Sequence, residues 1–198
     1  MKKGMAELVV AALAVFFLSL AISELKDFHQ LSFFALLHGL ALLPLSFTHV
    51  EGFTVRLAVS LAVFALLLLF VRRTGVRRET AALPAVLSLS ALGVLLVAAA
   101  ATLSLFKVSL PVMVWALSLA LGVFMAMLKR DLFKVVLGVY VAINAAHGLF
   151  LEFAGPPAAS IAFDLMELAV VGVMLWMAFL VYQRYGSLDV WRANLLRW

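Results

Sequence analysis

The chain has 198 residues, is 67% hydrophobic with a mean hydropathy of +1.19, and gives only 13% of its positions to charged side chains. Soluble domains carry about 25% charge, so this composition excludes a soluble globular protein and points to a polytopic membrane protein built from apolar runs of about 20 residues. The net charge of +5 sits at the ends of those runs, which excludes a basic nucleic-acid-binding domain, and the absence of cysteine excludes iron–sulfur ligation and thiolate metal sites in this chain.

The predicted class is all-α: a polytopic membrane bundle of seven transmembrane helices with a short interfacial helix at the C-terminus. The spans are expected over residues 6–23, 30–48, 54–71, 82–105, 109–128, 132–152 and 158–182. Residues 1–105 form an N-terminal part of four spans, 106–183 a three-helix unit and 184–198 a cytoplasmic tail. Connections this short leave no room for a soluble domain on either side.

The opening MKKGMAELVVAALAVFFLSLAIS has the outline of a signal peptide, but it reads as a retained first helix. Span two carries His38 near its middle and Pro44 beyond it. Pro44 is expected to kink the span and free a carbonyl for water, and His38 is either a packing hydrogen-bond donor or a proton-relay member. Spans three to five hold little besides Ser and Thr, apart from Arg56 at the entrance of span three. Small and hydroxyl residues there predict helix packing.

Span six follows the charged run KRDLFK and contains Asn144 and His147, polar groups that hydrocarbon penalises unless they are satisfied. The AGPPA turn makes spans six and seven an antiparallel hairpin in which residues at equal depth have numbers summing to about 311. His147 is then level with Asp164 and Asn144 with Glu167, so these four are the candidate proton-relay residues, with His38 a fifth. Glu152, at the outer end of span six, reads as a vestibule charge. In the tail GSLDVWRANLLRW, Trp191 and Trp198 read as interfacial anchors. His29, His38, His49 and His147 show no helical pairing with one another, so no metal site is expected.

Alternating seven spans puts Lys2, Lys3, Arg56 and Lys107 on one side and the other eleven Lys and Arg residues on the opposite side. The positive-inside rule then predicts a multi-pass protein of the cell membrane with its N-terminus outside and its C-terminus cytoplasmic.

The order of a charged entry, Asn144 and His147 three apart, a Gly-Pro loop, an acidic last span and the closing QRYGSLDVWRANLL resembles the hydrogenase-4 component E family. Members of that family are membrane subunits of formate hydrogenlyase and related group 4 nickel-iron hydrogenases. The last three helices are similar to the K-type subunit of complex I and to the C-type subunit of Mrp antiporters. The likeness is best over the last seventy residues, with YGSLDV its most specific piece, while ISELKDFHQLSFFALLHGLAL matches more loosely. Where the family pattern has a glutamate directly before the Asn, this chain has Ile143, and Glu167 is expected to supply that carboxylate from the opposite helix.

The resemblance implies a non-redox membrane-arm subunit. It would link antiporter-like subunits to the hydrogenase-anchoring subunit and contribute to a central polar axis for protons or sodium ions. No cofactor is implied in this chain, which is non-catalytic on its own; the nickel-iron centre and iron–sulfur clusters would belong to partner subunits. The alternatives are a purely structural scaffold subunit of the same complex and a free-standing small transporter. For the latter, neither an inverted repeat nor broken helices in matching halves are evident in the sequence.

Overall fold

A computed structural model describes residues 2–46, 50–79, 90, 93, 94, 97, 98, 101, 108–153 and 157–189. Among them the regular structure is helical, joined by short turns that hold two isolated β-bridges: α1 (Lys2–Glu24), α2 (Phe28–Leu40), the single turn α3 (Leu43–Ser46), α4 (Val50–Thr74), α5 (Leu110–Leu128), α6 (Leu132–Glu152) and α7 (Pro157–Tyr185).

The expectation of seven spans does not hold. Among the described residues four helices are long and apolar enough to cross a membrane: Glu51–Thr74, Leu110–Leu128, Leu132–Glu152 and Ala159–Tyr185. Within α1, Leu8–Glu24 is a shorter apolar helix. The expected second span is broken. A proline ring at position i collides with the carbonyl of residue i−4, and α2 ends at Leu40, four residues before Pro44. The Leu42 N–H closes the helix with a tighter bond to the Gly39 carbonyl at 3.3 Å, and α3 then restarts the chain with Pro44 in its first turn. The expected span over residues 82–105 and the interfacial helix with Trp191 and Trp198 lie outside the described residues, save for isolated positions of the former.

Two aspartates start helices. Asp27 accepts from the N–H groups of His29 and Gln30 at the head of α2, and Asp131 accepts from the Phe133 N–H at the head of α6. The segments that follow α4 and α7 return to these caps, where Phe28 N–H donates to Arg77 O and Leu132 N–H to Leu188 O, each at 2.9 Å. The two turns gather at one end of the bundle. There Phe133 stacks on Phe28 and Phe70 with ring centroids 4.4 and 5.5 Å apart, and Lys134 Nζ donates to the Ile22 and Ser23 carbonyls at the end of α1, both at 2.8 Å.

Away from that end, α5 and α6 approach until backbones touch. A Cβ on Gly122 would lie 2.5 Å from the Ala142 nitrogen, and one on Gly138 the same distance from the Ala126 nitrogen. Small residues at such a crossing permit the close van der Waals contact that holds helices together in lipid. The same contact fixes the rotation of α6, which carries Tyr140, Asn144 and His147 into the bundle interior, all three fully buried.

Candidate functional site

The centre of the site is Arg56, on the second turn of α4 and fully buried. Its Nη1 donates to Asp164 Oδ1 at 2.8 Å and to Glu167 Oε2 at 2.6 Å, both on α7. Its Nη2 donates to Asn144 Oδ1 on α6, and its Nε to the Gly39 carbonyl on α2 at 3.1 Å. One guanidinium therefore ties four helices, using the planar fork that distinguishes Arg from Lys. The Gly39 carbonyl is available because the break before Pro44 removes its ordinary helical partner. Gly39 also has no room for a side chain, since a Cβ there would meet Tyr140 Oη at 2.6 Å and Ser60 Oγ at 2.7 Å.

Around this hub the hairpin places His147 Nδ1 3.3 Å from Asp164 Oδ1, and His147 Nε2 2.7 Å from Ser160 Oγ. Ser160 is 8% exposed and His147 fully buried, so this serine is the outermost member of the group. Asn144 is oriented by donating from Nδ2 to the Tyr140 carbonyl at 3.2 Å, which turns its Oδ1 toward Arg56. Asp164 Oδ2 and Glu167 Oε1 are buried and have no hydrogen-bond partner among the described residues.

Formal charges give the cluster its chemistry. One guanidinium faces two carboxylates, so with a neutral imidazole the group carries one net negative charge in a medium that penalises it. A single proton neutralises it. The proton can rest on the imidazole, whose Nδ1 lies 3.3 Å from Asp164 Oδ1, or on one of the two unpartnered carboxylate oxygens.

Asn144, His147, Asp164 and Glu167 thus lie in one cluster, joined through Arg56 and the His147–Asp164 contact. His38 lies apart. Ser19 Oγ donates to Val15 O at 2.7 Å, so at 2.9 Å from His38 Nε2 it accepts from the imidazole; the His38 ring stands 5.6 Å from that of Tyr140. The Tyr140 hydroxyl turns away from the cluster to donate to Ala35 O at 2.8 Å. Glu152 is half-buried at the end of α6, outside the Arg56 group. Among the described residues no three His, Asp or Glu side chains converge as metal ligands.

Sequence reasoning missed Arg56 as a member. It placed the residue at a span entrance because the span was drawn from residue 54, whereas α4 begins at Val50. The available signal was charge balance, since two acids at neighbouring depths in hydrocarbon require a cation nearby. Lys134, likewise counted as a loop charge, is fully buried and 3.9 Å from Glu79 Oε2.

Compared with protein-family models, with curated proteins and with solved structures, the chain matches none. The four apolar helices make it a multi-pass membrane protein.

Proposed function

We propose that the chain is a non-redox membrane-arm subunit of a group 4 nickel-iron hydrogenase complex of the formate hydrogenlyase kind. In this reading it joins antiporter-like subunits to the hydrogenase-anchoring subunit and lends them a protonatable station on a polar axis that moves protons or sodium ions. The N-terminus faces outward and the C-terminus inward. The reading is supported by the resemblance over the last seventy residues. The observation that carries it is the buried group Arg56, Asn144, His147, Asp164 and Glu167, whose net charge is cancelled by one proton. A chain that performed redox chemistry would need cofactor ligands, which the resemblance assigns to partner subunits.

A second reading, a scaffold subunit, is favoured by one observation: Arg56 pairs with both acids within the chain, so they form a structural tie between its helices.

One experiment separates the two. The complex is purified through this chain, its subunits are identified, and ion translocation in vesicles is normalised to hydrogen evolved. Glu167→Gln keeps the shape and a hydrogen-bond acceptor for Arg56, so assembly and hydrogen evolution are expected to persist while the translocation ratio falls. Asp164→Asn is expected to lower the ratio less. An unchanged ratio in Glu167→Gln would leave the scaffold reading, and purification without a nickel-iron large subunit would reject the assignment to this complex.

A further inference from the structure

The two halves of the chain repeat one another in local geometry. Asp27 and Asp131 cap α2 and α6 with nearly the same backbone angles, φ −84°, ψ 123° and φ −85°, ψ 124°. Each cap lies three residues past the end of the preceding helix, α1 or α5. Immediately after α4 and after α7 comes a glycine with positive φ, Gly75 at 67° and Gly186 at 64°, whose N–H returns to a carbonyl four residues back. Three residues beyond each glycine, Arg78 and Asp189 bridge antiparallel to Asp27 and Asp131.

Counting back from these glycines locates the functional cluster in the same frame. Arg56 is nineteen residues before Gly75, and Glu167 is nineteen residues before Gly186. The partners of the 2.6 Å ion pair therefore occupy one and the same position on the third long helix of each half. The halves run in the same direction, because both capped turns meet at one end through the Phe28–Phe133 stack and the Lys134 bonds to the end of α1. Two of the three pairs of equivalent helices pack on each other, α1 on α5 and α4 on α7, an arrangement that an approximate two-fold axis along the bundle allows. In membrane proteins built from parallel repeats, ion sites lie at the repeat interface.

We infer that the chain is a duplicated three-helix unit, α1–α2–α4 and α5–α6–α7, and that the Arg56–Glu167 pair on its pseudo-two-fold axis is a proton-operated latch between the halves. Arg56 holds its own half through Gly39 O and the other half through Asn144, Asp164 and Glu167. The groups that face Glu167 are Arg56 from α4, Asn144, His147 and Tyr140 from α6, and Asp164 from its own helix, with His38 on α2 behind Tyr140. A proton taken up by this group neutralises Glu167 when it rests on Oε1, the carboxylate oxygen that has no hydrogen-bond partner among the described residues. Glu167 is then neutral and Arg56 keeps Asp164 alone as its counter-charge, so one of the two ionic ties between the halves is gone. This inference rests on the cluster being a protonation site, as proposed above, and not on the identity of the complex.

The chain has no native cysteine, so two can be placed at will. Ala58 and Ala169, exposed and at equivalent positions of α4 and α7, are replaced by Cys and spin-labelled. The full-length chain is purified with whatever subunits accompany it and placed in lipid nanodiscs. Electron–electron resonance distances are then measured at acidic and alkaline pH. At acidic pH the distribution is expected to shift or broaden by on the order of 1–2 Å, the scale of helix displacements at packed interfaces. Glu167→Gln is expected to show the acidic distribution at both pH values, and Glu167→Asp to keep the pH response. A distribution in the labelled wild-type chain that ignores pH would overturn the latch, as would a Glu167→Gln distribution identical to the alkaline wild type. If Glu167→Gln does not assemble, the wild-type pH response decides. A pH-responsive chain found without hydrogenase subunits would reject the assignment of the complex and leave the latch. A translocating complex with pH-invariant distances would reject the latch alone.

Discussion

Arg56 shows how much one buried charge organises. Its removal leaves Asp164 and Glu167 as buried charges with no other cation in contact with Glu167 among the described residues. Breaking a buried pair from one side costs about 3–5 kcal/mol, because the partner charge remains desolvated. Arg56→Gln is accordingly expected to lower thermal stability strongly in fluorescence-detected chromatography. Adding Glu167→Gln to Arg56→Gln should recover part of that loss, since it removes a stranded charge. If the double variant is as unstable as the sum of the two singles, the pair is not an energetic unit. The polar candidates on α6 and α7 were legible because rare polar residues stand out against hydrocarbon-facing sequence. Their common partner was not, because a span boundary misplaced by four residues moves a buried arginine to a surface.

At the scale of elements, the break after α2 is a local decision with a distant effect. Pro44 ends the helix at Leu40, and the Gly39 carbonyl becomes an anchor for Arg56. The proline itself is plain in the sequence. That Arg56 joins Leu42 N–H in donating to this carbonyl depends on α4 lying alongside. The caps make a simpler case. Asp27→Ala is expected to cost about 1 kcal/mol, the usual worth of an aspartate N-cap, measured as a small drop in melting temperature. The α5–α6 crossing tolerates far less: Gly122→Val places side-chain atoms against the Ala142 backbone, so a loss of about 3 kcal/mol or more is expected, beyond ordinary overpacking because no side chain can yield. A Gly122→Val chain that melts with wild type would show that this crossing opens freely.

For the whole molecule, the ends of α1, α4, α5 and α7 that carry Lys26, Arg72, Arg73, Arg77, Arg78, Lys129, Arg130 and Arg184 meet at the two capped turns. The positive-inside rule predicts that this end is cytoplasmic, and a Cys placed at Ser187 is then expected to react with an impermeant thiol reagent in inverted vesicles and not in intact cells. Labelling from outside intact cells would reverse the proposed orientation.

Composition alone determined that the chain is a helical, multi-pass membrane protein, because an apolar majority with few charges has no soluble alternative. Rarity marked its polar residues, since each one in hydrocarbon needs a partner. The second span was misjudged because hydropathy cannot see that Pro44 breaks one apolar run. The pairing of Arg56 with Asp164 and Glu167 and the correspondence of the two capped turns were decided by tertiary structure. Residues more than a hundred positions apart meet only when α4 packs on α7, and the matching turns share a conformation built on one Asp and one Gly each, too few letters to register as a repeat.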